Sequence, residues 1–438
     1  MLHDTPSSFR DLKRQALELL EWTLDDMSPE QPDRKLYFKC GFEREGHFLP
    51  EKLPAAERFE HHLWKQQRQS DMEKYAAAMH KLLSKDPDLL KIYADHAGTF
   101  MLEGVGKAVG LVQATAACER ISKRMLEVAP ELKLSSAAFG SLAADDVIDR
   151  IAKEGRSAGI QRFIHTAFEN YHHEVFATKL SEKTLIGRGQ HCNLSVWAGD
   201  KNLFIRQSSA DGGCDLVNHA AAKALEWLPH MFLPCRKGNY WRIQSAGKFS
   251  LGKFSAGDLQ SPKHSHILRH TADSRGRSWN PDPGSFRLEF RQGASEADPY
   301  DLSLASAVPL VKTCEEILGK DESGKVALNQ NGGVTLLEEH PFPQGKGYDK
   351  PVPQNEDEAK ALFNVEKNPY FEYLDELAQR KIQRLEQRNR DKPGFVHEEE
   401  LRNAEKLRNI GTRLHVGYCR EYGMKSVMPG AESFMQVA

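Results

Sequence analysis

Gly187-Arg188-Gly189-Gln190-His191-Cys192-Asn193-Leu194-Ser195-Val196-Trp197, followed by Asp200-Lys201-Asn202-Leu203-Phe204, alternates polar and apolar residues on either side of a tip at 198–201. In an extended strand residues i and i+2 point the same way, so His191, Asn193 and Ser195 share one face and Cys192 and Leu194 the other. Two more stretches read alike. Gly41-Phe42-Glu43-Arg44-Glu45 puts Glu43 and Glu45 together, and Phe286-Arg287-Leu288-Glu289-Phe290-Arg291 groups Arg287, Glu289 and Arg291. Phe42, Leu288 and Phe290 are then left for a core. A sheet with one packed face and one face of carboxylates, imidazole and guanidinium suits divalent metal and phosphate, the needs of an ATP-using site.

Composition permits such a site without selecting it. The 438 residues are enough for a large core and for two or three domains by length alone. A net charge of −2 gives no electrostatic reason to expect nucleic acid or a membrane surface as partner. Seven cysteines without CxxC spacing read as reduced thiols and point to the cytoplasm. Residues 1–10 contain no apolar leader core, and no window approaches a membrane span.

Along the chain, residues 8–23 predict an amphipathic helix, 36–49 the first strand region, and 51–88 a polar helical excursion outside the core. Residues 89–103 read as strand and turn. Helices are expected at 108–128, 143–153, 158–171, 220–228 and 301–318, a strand pair at 184–207 and another strand at 284–292. Residues 329–353, rich in Gly and Pro, read as a long loop, and two charged helices, 369–388 and 398–422, close the chain. The expected class is α+β: a catalytic unit over 1–380, with helical insertions at 51–88 and 107–157, and a charged helical tail over 381–438. Other motifs carry less. Gly104-Val105-Gly106-Lys107-Ala108-Val109-Gly110 lacks the spacing of a dinucleotide loop. Adjacent histidines at 61–62 and 172–173 diverge on a helix. The basic run 380–390 alternates with Glu and Gln and reads as a solvated helix face.

Taken singly, Glu43/Glu45 is an ordinary exposed pair and Arg287/Glu289/Arg291 a surface salt-bridge ladder. In colinear order the segments resemble the glutamine synthetase catalytic domain. The first stretch is similar to that family's GxGxHxHxSLW…GKNLF hairpin. Arg287-Leu288-Glu289-Phe290-Arg291 with Ala297-Asp298-Pro299-Tyr300 resembles its RxExR…ANPY segment, and Gly41–Glu45 its GxExE strand. Phe176-Ala177-Thr178-Lys179-Leu180 resembles its FMPKP strand more loosely. The resemblance implies an antiparallel sheet with one polar, metal- and phosphate-binding face and helices packed on the other. It implies ATP and two Mg²⁺ or Mn²⁺ ions, one held by Glu45, Asp95 and Glu103, the other by Glu43, His191 and Glu289. Arg287 and Arg291 would take phosphate oxygens, with Arg275 and Arg277 as further phosphate-facing candidates. Arg242 would take a substrate carboxylate, Gly187 would let backbone approach the substrate, and Ser195 would lie near the nucleotide.

Departures from the family pattern shape the rest of the expectation. Asn193 stands where the second histidine of HxH would be. The family's ammonium-binding flap glutamate aligns near Lys248 or Ser250, with no acid present. The resemblance starts almost at residue 1, with no counterpart of the family's small N-terminal β-grasp domain. The sequence therefore implies a ligase joining a glutamate-like carboxylate to an organic amine or protein acceptor rather than ammonia, as a monomer or small oligomer. The alternatives are a nucleotide-binding regulatory protein and a kinase using the same site.

Overall fold

A computed structural model describes residues 7–50, 61–94, 101–138, 142–143, 185–186, 189–204, 216–236, 253–258, 266–269, 287–327, 334–338, 340, 350–353, 355–392, 394 and 396–435. The strands of its main sheet are β1 (Leu36–Pro50), β2 (Leu89–Ala94), β3 (Met101–Gly106), β4 (Leu134–Ala138), β5 (Gly189–Ala198), β6 (Lys201–Asn202), β7 (Ala256–Asp258), β8 (His266–Arg269) and β9 (Arg287–Ala294). Together they make one nine-stranded sheet in the order β7-β8-β9-β5-β1-β3-β2, with β4 added to β1 and β6 to β5. Pairing is antiparallel throughout except between β7 and β8, a parallel edge pair in a sheet expected to be antiparallel.

Alternation along the central strands decides which side is packed. Phe42, Cys192, Leu194, Leu288 and Phe290 are all buried in one apolar cluster, as the sequence predicts, and Cys40 joins them. The helices that cover this side are α1 (Ser7–Asp26), α2 (His61–Leu83), α3 (Leu111–Val128), α4 (Leu216–Trp227), α5 (Phe232–Arg236) and α6 (Pro299–Ile317). The last is buried nearly all round and so reads apolar on every face. Its hydroxyls are satisfied locally: Ser306 and Thr313 donate to carbonyls four residues back, each at 2.7 Å, and Ser303 meets Thr115 of α3 at 2.6 Å. Asp298 caps its first turn by accepting from the Tyr300 N–H at 3.0 Å.

Four expectations change. Met72, Ala76, Met79 and Leu83 of α2 are buried, so that end of a polar-looking helix is core rather than excursion. Likewise α3 buries Leu111, Ala114, Cys118 and Ile121, so the expected insertion over 107–157 begins with a structural helix of the core. Residues 89–103 hold two paired strands, because β2 and β3 form an antiparallel pair. The expected helix 398–422 is two, α9 (Glu398–Glu405) and α10 (Ile410–Glu421), broken where Asn409 adopts φ +55°. These follow α7 (Glu356–Phe363) and α8 (Pro369–Asp391). Leu414, Tyr418 and Cys419 of α10 join the same central cluster as the sheet and α1. Leu142–Ala143, at the start of the helix expected over 143–153, is a short strand paired with Leu185–Ile186; the rest of that helix and the one expected at 158–171 lie outside the described residues.

Two buried cations tie the layers together. Lys13 of α1 has no exposed surface and sits 3.0 Å from Asp298 and 2.5 Å from Asp301, between the rings of Phe9 and Tyr418. The Tyr418 hydroxyl donates to Asp301 at 2.6 Å, so α1, α6 and α10 meet at one polar knot. Burial lowers the ammonium's affinity for its proton, but the two carboxylates outweigh that and leave the Lys13 pKa well above its ordinary value. Arg44, on the packed side of β1, donates through Nε to the Ser295 carbonyl at 2.8 Å and reaches the Ala297 carbonyl at 3.3 Å.

Candidate metal and phosphate site

Strand register assembles the polar face. Glu43 of β1 stands opposite His191 of β5, Asn193 opposite Glu289 of β9, and Glu45 opposite Glu103 of β3. Four acids from three strands therefore gather on the face that carries the His191 imidazole. His191 Nδ1 lies 3.3 Å from Glu43 Oε2 and 3.2 Å from Glu289 Oε1, and its Nε2 is 3.9 Å from Glu45 Oε1. Ligand atoms from Glu43, His191 and Glu289 all fall within 4.8 Å of one another. His191 and Glu289 are buried and Glu43 is partly so.

The donor set fits a divalent cation. One imidazole Nδ1 carries at most one proton, yet two carboxylates approach it; Nε2 is buried and makes no hydrogen bond. Like charges directly opposite in a sheet, as Glu45 and Glu103 are, oppose pairing unless something positive lies between. Carboxylates with a single imidazole suit Mg²⁺ or Mn²⁺. The second expected ion is half testable: Glu45 and Glu103 are brought together, while Asp95 lies outside the described residues, one position past the end of β2.

Arginines flank the acids. Arg287 Nε donates to Asn193 Oδ1 at 2.8 Å and its Nη2 is 3.8 Å from Glu43; Arg291 Nε is 3.3 Å from Glu289. Asn193 thus has a definite task, because its Nδ2 also donates to Glu43 Oε1 at 3.1 Å. It bridges an acid and an arginine, both of which would lose a partner if it were apolar. The register of β9 against β5 shifts between Phe290 and Gly293, an irregularity that falls at Arg291 and Gln292. The strand is pressed so close there that a Cβ on Gly293 would lie 2.7 Å from the Gln190 carbonyl. On the packed side, Arg44 and Arg236 hold the carbonyls of Ser295, Ala297 and Gln292, which fixes the chain just beyond Arg291.

Ser195 occupies the same face. It accepts from Trp197 Nε1 at 2.9 Å, and Lys39 Nζ stands 3.4 Å from the Trp197 ring centre. Lys39 and Trp197 were legible in principle, since they continue the i, i+2 rows of Glu43 and His191. The backbone N–H of Gly189 donates to Glu45 Oε2 at 2.7 Å, a glycine contact two residues after the expected Gly187. Gly187, Arg242, Arg275 and Arg277 lie outside the described residues, as do Phe176–Leu180 and the flap with Lys248 and Ser250.

A solved structure described as a novel glutamine synthase homolog superposes with a TM-score of 0.51, at 15% sequence identity, over 94% of this chain and 74% of its own. The chain has a glutamine synthetase-like fold. The GmaS/ADP complex superposes less closely, at TM-score 0.48 and 14% identity over 90% of this chain and 77% of its own. No protein-family model matches the sequence, and no curated protein does. The glutamine synthetase-like fold is α+β, and the colinear motifs of the polar face lie on its strands β1, β5 and β9. No described helix is long and apolar enough to cross a membrane.

Proposed function

We propose that the protein is an ATP- and divalent-metal-dependent carboxylate–amine ligase. The observation that supports this best is the Glu43–His191–Glu289 cluster with Arg287 and Arg291 beside it on one sheet face. Glu43, His191 and Glu289 would hold one Mg²⁺ or Mn²⁺, and Glu45, Glu103 and Asp95 a second. Bound there, the ions would neutralise phosphate charge as Lewis acids. Arg287 and Arg291 would bind and orient the transferring phosphoryl group, and Ser195, with Trp197 and Lys39, would lie against the nucleotide. In this reading the γ-phosphoryl passes from ATP to a glutamate-like carboxylate, releasing ADP. An amine then attacks the acyl carbon, phosphate leaves, and the nitrogen gives up a proton to form the amide.

Support for an organic amine or protein acceptor comes from the sequence: the aligned flap offers Lys248 and Ser250, and an ammonium ion needs a carboxylate to hold and deprotonate it. ADP and phosphate release against a panel of carboxylates and amines tests the reading. Turnover that needs both substrates and releases inorganic phosphate is expected, with His191→Ala and Glu289→Gln inactive at unchanged far-UV circular dichroism. Glutamine formation from ammonium at the same rate would overturn the acceptor claim. Label from the γ-phosphate retained on the acceptor would identify a kinase, and metal-dependent ATP binding without ADP in any mixture a regulatory protein.

A further inference from the structure

The basic run on α8 has no part in this chemistry; its face is largely solvated, as its sequence suggests, and part of it also lines an open cleft. Residues three, four and seven apart share one side of a helix. Arg380, Gln383, Arg384, Gln387 and Arg390 accordingly line one wall of a cleft of about 610 Å³. The opposite wall is the C-terminal end of α1, with Trp22 and Asp26, and the turn carrying Lys320. Four cations and two carboxylates, Asp26 and Glu315, face this space, an excess of two positive charges.

Both carboxylates are already engaged. Glu315 takes Arg380 at 2.8 and 2.9 Å and the Tyr373 hydroxyl at 2.6 Å. Asp26 is contacted by Arg384, with Arg388 3.9 Å away. Arg390 is anchored at 2.7 Å to Gln387, with its nearest carboxylate, Glu386, at 3.9 Å, and Lys320 makes no ion pair among the described residues. Trp22 supplies a flat wall, its ring stacked by Lys381 at 4.8 Å.

We propose that this cleft binds a small polyanion bearing two or more phosphate or carboxylate groups. Arg380 and Arg390 are separated by roughly 15 Å of helix rise, room for two anionic groups side by side. The volume is that of a small-metabolite site. Binding would pin the end of α1, whose chain runs on into β1 and its acids, against α8. The site is independent of the proposed ligase reaction.

Calorimetric titration with pyrophosphate, in EDTA so that the catalytic face holds no divalent ion, tests the proposal; a parallel titration with citrate separates phosphate from carboxylate preference. One saturable site per chain is expected for at least one of the two. Lys320→Gln/Arg390→Gln, at two exposed positions that the fold tolerates, should weaken it by about tenfold or more. Arg287→Gln, on the catalytic face, should leave it unchanged. No saturable heat with either anion, an unaffected double variant, or loss of binding in Arg287→Gln would each overturn the proposal.

Discussion

Replacing Lys13 by methionine should be among the most damaging single changes outside the polar face. Methionine keeps most of the side chain's length, so the loss is chiefly one of charge. In the protein the ammonium is fully buried, 3.0 Å from Asp298 and 2.5 Å from Asp301. At an effective dielectric near 20, each such contact is worth on the order of 5–7 kcal/mol of gross attraction. Taking three charges out of water costs several kcal/mol each, so the intact cluster contributes little net stability. Removing only the cation leaves two buried carboxylates without it, and the expected loss is about 3–5 kcal/mol. Urea unfolding, followed by far-UV circular dichroism, should show the midpoint falling with little change in slope. Lys13→Met/Asp301→Asn should recover part of the loss, because one stranded charge is gone. A Lys13→Met unfolding free energy within about 1 kcal/mol of wild type would refute the buried-cluster argument.

His415 is stacked on Phe363 at 5.0 Å and hydrogen-bonded to Ser426 at 2.7 Å, and burial lowers its pKa to about 4 from 6.5. The unfolded chain therefore takes up this proton first. Its contribution to stability is whole above about pH 6.5 and declines as pH falls towards 4, by up to about 1.4 kcal/mol per unit; His415→Gln should flatten that slope in urea titrations at pH 7 and pH 5. Gly293→Ala should cost about 1–3 kcal/mol, since the added methyl meets the Gln190 carbonyl at 2.7 Å; a melting temperature equal to wild type would show that β9 can move away from β5.

The polar face was legible because alternation in strands is strict. Glu43, His191, Glu289 and Arg287 land together simply by sharing parity on β1, β5 and β9, once the register sets which residues oppose. The register itself is not in the local pattern; it comes from pairings between strands far apart in sequence, and only the family resemblance pointed to it. Arg44 shows the limit of parity. Lying between Glu43 and Glu45, it belongs to the packed side, where a charge is a poor guess until the Ser295 and Ala297 carbonyls are known to wait for it. The same holds for Lys13 and α10, whose charged sequence conceals the buried Tyr418 and Leu414. Breaks such as the one at Asn409 need a left-handed residue, and an asparagine in a charged run gives only a weak sign of it.

Mn²⁺ titration followed by electron paramagnetic resonance tests the central claim most directly, because it reads the Glu43–His191–Glu289 cluster without requiring the substrates to be known. The wild-type protein should bind Mn²⁺ saturably, with Mg²⁺ competing for the same site. Glu289→Gln and His191→Ala should each weaken binding by about tenfold or more at unchanged secondary structure. Equal Mn²⁺ affinity in the wild type and both variants would contradict the claim that this face of the sheet is a metal and phosphate site.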